Sequence, residues 1–313
     1  MAHMIETMAY AGETPWHGLG KEVPADLSPE QMLVTAGLDW NVNKVPAFIR
    51  VDGEELMTGK SALVRSSDNS ILDVVSNDWI PVQNHTAFEF FDEFVHAGDM
   101  EMHTAGSLKN GQIVWALAKI KDGFELFGGD KVEGYLMFTN PHKFGQSIDV
   151  RFTPIRVVCN NTLTLALSQK GDRVVKCTHK SVFDAEQVKM TLGIAGEQLR
   201  KYKEMAQFLG KKKAKTVDVK DYFKQLFPVL TQKEESRKEM SKTAEVALNI
   251  LETQPGADFA KGSWWQPFNA VTYLVDHKLG RTQEGRLASA WFGPNRSLKM
   301  RALEKAVEFA EAA

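Results

Sequence analysis

Residues 148–167 read IDVRFTPIRVVCNNTLTLAL, and the fold turns on how this stretch is taken. Ile148, Val150 and Phe152 interleave with Asp149, Arg151 and Thr153, the two-residue alternation of a half-buried strand. Pro154 shifts the phase and marks an edge position or a bulge. Ile155 and Val157 then flank Arg156, which the shift returns to the face of Arg151. Cys159, Asn160, Asn161 and Thr162 follow. Asn and Thr favour helix starts because their side-chain oxygens accept from free backbone N–H groups. Leu163, Leu165, Ala166 and Leu167 continue without glycine or proline. The stretch therefore reads as strand, tight turn and helix. Arg151 and Arg156 would stand beside a helix N-terminus, where amide dipoles favour an anion. Taken singly, either arginine more often pairs with a surface carboxylate.

Working outward, the chain before this stretch alternates strands with a helix. Thr14-Pro15-Trp16-His17-Gly18-Leu19-Gly20 is a turn segment with an aromatic anchor, suited to pinning an N-terminal arm onto a domain. Ser28-Pro29-Glu30-Gln31 opens a short helix with proline first and an acidic first turn. Ala47, Ile49 and Val51 alternate, Asp52-Gly53 supplies a hairpin turn, and Leu56 and Met57 resume. Two further apolar runs, at 62–64 and 71–75, flank a turn rich in serine and aspartate. The run HTAFEFFDEFVHAGD at 85–99 places Phe88, Phe91, Phe94 and Val95 at helical spacing, a core-facing stripe that Gly98 ends. Lys109-Asn110-Gly111 is a strong hairpin signal between two strands, and 132–138 adds another. The pattern is an α+β fold: an antiparallel sheet with packed helices, followed by a mostly helical C-terminal region.

Beyond Leu167 the charge changes character. Lys170, Arg173, Lys176, His179 and Lys180 oppose only Asp172 within eleven residues. A long helix capped by Ser181 or Asp184 would carry Val188, Leu192, Ala195, Leu199, Tyr202, Ala206 and Leu209 in alternating steps of four and three. That is a heptad seam, fit for packing on the sheet or on a neighbouring copy. Arg200, Lys201 and Lys203 follow near its end, and then Gly210, Lys211, Lys212, Lys213 and Lys215. Lysines at a helix C-terminus suit the dipole, yet four in five residues exceed what capping asks for, and Gly210 reads as a hinge. From Val217 the chain reads as helices at 218–226, 234–251, 267–278 and 298–312. Trp264, Trp265, Phe268, Tyr273, Trp291 and Phe292 within them read as core residues ahead of base-stacking ones. Three regions result: an arm at 1–45, an α+β core at 46–210 and a helical region at 211–313.

Composition bounds the functions open to the chain. With 313 residues, 43% hydrophobic and 25% charged, it has the balance of a globular protein with a sizeable core. A net charge of −2 excludes polyanion binding by bulk electrostatics, so any nucleic-acid surface must come from local segregation of charge. Two cysteines, Cys159 and Cys177, make no disulfide framework and suit a reducing compartment. No apolar run approaches a membrane span, and the N-terminus lacks a signal pattern, so a cytoplasmic protein without a membrane partner is expected. There is no Walker loop, dinucleotide fingerprint or histidine-rich zinc helix. Cys159, Cys177, His142 and His179 match no established zinc spacing, and no metal or cofactor is expected. Cys159 at a helix start is a conceivable nucleophile, though its apolar surroundings favour packing. Asp276 and His277 find no convincing partner. No catalytic residue is assigned, and the chain reads as a non-enzyme.

Three segments carry a resemblance: PWHGLG at 15–20, TPIRVVCNNTL at 153–163, and the pair NAVTYLVDH at 269–277 with SAWFGPNRSLKMRAL at 289–303. They resemble a phage- and plasmid-borne family known as domain of unknown function 932. That resemblance implies a mobile-element protein of a bacterial cytoplasm and names no reaction. The order of hairpins, basic strand and helix also resembles the annealing core of ring-forming single-strand annealing proteins. Together these imply a protein of phage recombination that binds single-stranded DNA and anneals it as a homo-oligomeric ring or filament. The expected DNA-binding residues are Arg151, Arg156, Asn160, Asn161, Lys170, Arg173, Lys176, Lys180, Arg200, Lys201, Lys211, Lys212 and Lys213. Two alternatives stay open: a protein-binding factor directed at a host system, and an enzyme of unrecognised type.

Overall fold

A computed structural model describes residues 5–12, 20–121, 123–156, 161–162, 175–180, 183–186, 195–229 and 239–312. The chain gathers into two compact units. The first holds Met1–Asp122, Tyr135–Phe152 and Arg173–Ile194; the second holds Gly123–Gly134, Thr153–Asp172 and Ala195–Ala313.

In chain order the strands and early helices are β1 (Ile5–Ala11), β2 (Lys21–Val23), α1 (Pro29–Thr35), β3 (Val42–Val51), β4 (Glu54–Arg65), β5 (Ile71–Ser76), α2 (Asn84–Glu89), α3 (Asp92–His96), β6 (Met100–Leu108), β7 (Ile113–Ile120), β8 (Phe124–Leu126), β9 (Asp130–Pro141), β10 (Ile148–Arg156), β11 (Asn161–Thr162) and β12 (Val175–Cys177). The helices that follow are α4 (Ala195–Lys211), α5 (Thr216–Leu226), α6 (Lys242–Ile250), α7 (Trp265–Tyr273), continued by a π-helical turn (Leu274–Lys278), α8 (Gln283–Phe292) and α9 (Pro294–Ala312). This is the expected α+β arrangement.

In the first unit the main sheet runs β10-β9-β7-β6-β1-β2, and β12 pairs with β10. β1, β6, β7 and β9 pair antiparallel, while β2 joins β1 in parallel. Trp115, Phe88, Phe90, Phe91 and Phe138 fill its core. A separate sheet, β3-β4-β5, is built by two antiparallel hairpins. Turn chemistry explains where the chain reverses. Asp52 and Gly53 take φ of 52° and 91°, and Lys109, Asn110 and Gly111 take 55°, 56° and 83°. Positive φ at consecutive turn residues matches the strand twist, and Gly and Asn reach it at least cost. Helix α1 begins as its sequence predicts, with a full capping box between Ser28 and Gln31.

The helix expected at 85–99 is instead two short helices, α2 and α3, interrupted at Phe90 and Phe91, both buried. Burying two consecutive phenylalanines asks more of one face than an unbroken helix can give. Arg65, at the end of β4, is buried and reaches Glu6 at 2.7 Å and 2.8 Å while also binding Asp68. Its ring-ward face lies 5.5 Å from the Trp40 centroid.

The second unit packs α4 to α9 around Tyr202, Tyr222, Phe223, Trp264, Trp265 and Phe268, joined by Leu126 and Val132 of the β8–β9 hairpin. Of the dense aromatics, Trp264, Trp265 and Phe268 are core residues as expected and Trp291 is buried, while Tyr273 is half-buried and the Phe292 side chain lies outside the described residues. Trp264 stacks on Phe309 at 5.2 Å, and Trp265 Nε1–H donates to Asp130 Oδ2 at 3.0 Å. Helix α8 was not anticipated. Gly285 in its first turn weakens the local signal, while Thr282 caps it by accepting from Gly285 N at 3.0 Å.

Two further expectations are corrected here. The expected helix does not start at Thr162: Asn161 and Thr162 form β11, which pairs antiparallel with β10 through Arg156↔Asn161 and Ile155↔Thr162, while 163–167 lie outside the described residues. Asn and Thr serve a tight reversal as readily as a helix cap, so the same residues fit both readings. Gly210 is not a hinge. It lies inside α4, where an added Cβ would fall 2.0 Å from the Phe127 ring, and Phe127 itself adopts φ of 43°. Gly210→Ala is therefore expected to lower stability by about 1–3 kcal/mol through overpacking, read by denaturant unfolding. Full stability in that variant would mean that the ring does not press on the helix.

Candidate nucleic-acid interface

The basic residues fall into three groups. Arg151 is removed from the candidate surface: it is buried, its Nε lies 3.4 Å from Asp149 Oδ1, and a guanidinium N–H points to the Met137 sulfur at 3.6 Å. A buried arginine satisfied inside its own sheet has no donor face left for a phosphate. Lys180 and Arg200 are exposed but paired, with Asp78 at 3.3 Å and Glu204 at 2.6 Å. Exposed pairs of this kind are weak and exchange readily, so neither residue is lost to a ligand. The side chains of Arg156, Asn161 and Lys176, and the whole of Asn160, Lys170 and Arg173, lie outside the described residues, as do residues 15–19 and the proposed nucleophile Cys159.

The third group is brought together. Lys211 ends α4, Lys213 forms a β-bridge with Ser263, and Lys215 is the N-cap residue of α5. The backbone between the helices is held by Trp264 N–H donating to Lys212 O at 3.0 Å and by Ala214 N–H donating to Gly262 O at 2.9 Å. The lysine run is thus a fixed corner. Lys211, Lys213 and Lys215 are exposed, and Lys212 lies with its ammonium 5.5 Å from the Phe208 ring. No carboxylate pairs with these four lysines among the described residues. Arg151 is packed away, whereas the lysines expected to follow a hinge at Gly210 stand on hydrogen-bonded backbone.

The electrostatics of the corner are unusual. Residues 200–224 hold nine Lys and Arg against three Asp and Glu, a local balance of +6 in a chain whose net charge is −2. Lys211 suits the C-terminal end of α4, but Lys213 and Lys215 stand at the start of α5, the positive end of its dipole. Lys215 also provides no capping side chain, so the first amide N–H groups of α5 lack that partner. Asp218 in the first turn offsets part of this charge. An anion at the corner would offset the rest, by neutralising lysines and accepting from the uncapped amides together.

Each unit also holds a buried polar cluster. Lys299 Nζ meets Asp276 Oδ1 at 2.8 Å, with both side chains fully buried. The sequence left Asp276 without a partner because Lys299 is distant along the chain. The π-helical turn carries Asp276, and Asn269 and Thr272 bond backbone carbonyls of the preceding helix. Sealed from solvent, the pair acts on packing and has no access to a substrate. In the first unit, His142 is fully buried with Nε2 2.9 Å from Asn84 Oδ1. Asn84 Nδ2 donates to Leu38 O, which fixes the amide and makes His142 Nε2 the protonated nitrogen. His179 stacks on Trp79 at 4.0 Å and bonds Ile80 O. Burial, with His179 nearby, pushes the His142 pKa down to about 3. Burial, and to a lesser degree the nearby Asp184, pushes the Cys177 thiol up, the opposite of an activated nucleophile. Among the described residues no group of three or more His, Cys, Asp or Glu could hold a metal.

Fold and site together define an α+β protein of two compact units that carries a rigid cationic corner on its helical one. Among the described residues no helix is long and apolar enough to cross a membrane. The chain belongs to the family described as Domain of unknown function (DUF932), whose sequence model matches residues 71–291. No curated protein and no solved structure matches it.

Proposed function

We propose that this chain binds and anneals single-stranded DNA in the recombination of a phage or other mobile element. The observation that carries the reading is the lysine corner: Lys211, Lys213 and Lys215, exposed and without described acidic partners, meet the uncapped start of α5 on fixed backbone. Cations gathered at the positive end of a helix dipole repel one another, and a phosphate relieves that repulsion. Tyr202, Tyr222, Phe223, Trp264, Trp265 and Phe268 are committed to the core of the helical unit, which supports phosphate contact over base stacking as the main source of affinity. Backbone contact of this kind carries little sequence preference and leaves base edges free to pair, as annealing requires. The mobile-element setting and the annealing step rest on the resemblance drawn from the sequence.

Fluorescence anisotropy of a labelled single-stranded oligonucleotide across a salt series tests the reading. Affinity should fall linearly with salt on logarithmic axes, with a slope of about −0.7 for each phosphate neutralised. Affinity indifferent to salt, or absent at low salt, sinks it.

A further inference from the structure

Of the thirteen large apolar side chains that stand exposed among the described residues, eight lie on the small sheet β3-β4-β5. The outer half of the β3–β4 hairpin concentrates them. There Phe48 pairs with Met57, Ile49 with Leu56, Arg50 with Glu55 and Val51 with Glu54, while β5 pairs only further down β4. Side chains alternate between faces, so Phe48 and Met57 lie on one face and Ile49 and Leu56 on the other. Both faces are open: Phe48 and Ile49 are each 53% exposed, and Met57 is 73% exposed. A two-stranded ribbon with apolar side chains on both faces has no core of its own and gains by being covered.

Charge selects the cover. Arg50 is paired with Glu55 at 2.6 Å, which leaves Asp52 and Glu54 uncompensated and makes this half-ribbon net negative. It repels nucleic acid and repels a second tip, and it complements a surface that is cationic and partly apolar. The lysine corner is such a surface, because Val217 in the first turn of α5 is 69% exposed beside Lys211, Lys213 and Lys215. We propose that the ribbon tip docks on the lysine corner of a second copy of this chain and competes there with nucleic-acid phosphate. Each copy carries one tip and one corner, so the contact is heterologous and propagates into a ring or filament. The proposal rests on the reading of the corner as a phosphate site and adds its regulation.

Sedimentation velocity of the full chain at low and high salt, with and without a 20-nucleotide oligomer, tests it. The wild type should associate at low salt and return to monomer with added salt or oligomer. The exposed-site variants Leu56→Ser/Met57→Ser and Lys211→Ser/Lys213→Ser should stay monomeric with unchanged circular dichroism. Glu54→Lys and Lys213→Glu chains should each stay monomeric alone and associate when mixed. The ribbon variant should also bind the oligomer several-fold more tightly at low salt. A wild type that is monomeric throughout, or a ribbon variant that associates as the wild type does, overturns the docking. If the lysine variant loses oligomer binding while its association is unchanged, docking falls and the phosphate site stands. If association follows the scheme and no form binds the oligomer, the phosphate reading falls alone.

Discussion

Replacing Lys299 with methionine should cost about 3–5 kcal/mol of stability, the largest effect expected of any single change in the helical unit. The ammonium meets Asp276 Oδ1 at 2.8 Å with both side chains sealed from water. Removing it leaves a buried carboxylate without that cation, and desolvation that was balanced becomes a direct penalty. Asp276→Leu should be comparably costly for the mirrored reason. The double variant Asp276→Leu/Lys299→Met should lose clearly less than the sum of the two single changes, because neither buried charge is then left without the other. Denaturant unfolding of the three variants decides the matter through the interaction energy of the cycle. Strictly additive losses would show that the two groups act independently.

The second large effect is on pH. His142 holds a folded-state pKa of about 3, depressed by burial first and by His179 second, against 6.5 when exposed. Below pH 6.5 the unfolded chain takes up a proton that the native imidazole refuses. Stability is therefore full above pH 6.5 and is lost progressively as pH falls toward 3, by about 5 kcal/mol at the lower limit. His179, also pushed down by burial, adds in the same direction. The groups that face His142 are His179, the Asn84 amide and the Trp40 ring 5.5 Å away. His142→Gln keeps a donor for Asn84 and removes the titration. Its stability should be flatter than wild type between pH 6.5 and 4. An identical slope in the two proteins would assign the acid sensitivity elsewhere.

What the sequence made legible was local. Asp52-Gly53 and Lys109-Asn110-Gly111 reverse the chain because turn geometry depends on two or three adjacent residues. Ser28 and Gln31 announce α1 because a capping box spans four positions. What stayed hidden depends on partners remote in sequence. Gly210 looked like a hinge until Phe127 was seen against it, and Lys211 to Lys215 looked flexible until residues 262–264 were seen pinning them. The part of the heptad stripe at Tyr202, Ala206 and Leu209 packs inside the helical unit, so these residues offer no seam to a neighbour. Val188 and Leu192 lie outside the described residues, as do the side chains of Ala195 and Leu199. Arg151 shows the same limit at the candidate site: alternation placed it on the face opposite Val150, and only the fold reveals that both faces of β10 are covered there.

The measurement that bears most directly on the central claim is the salt slope of oligonucleotide binding for the wild type beside Lys211→Ser/Lys213→Ser/Lys215→Ser. If the three lysines neutralise phosphates at the start of α5, the variant should lose about 2 units of logarithmic slope as well as affinity. A variant whose slope equals that of the wild type would place nucleic-acid binding elsewhere on the chain and contradict the assignment of the corner.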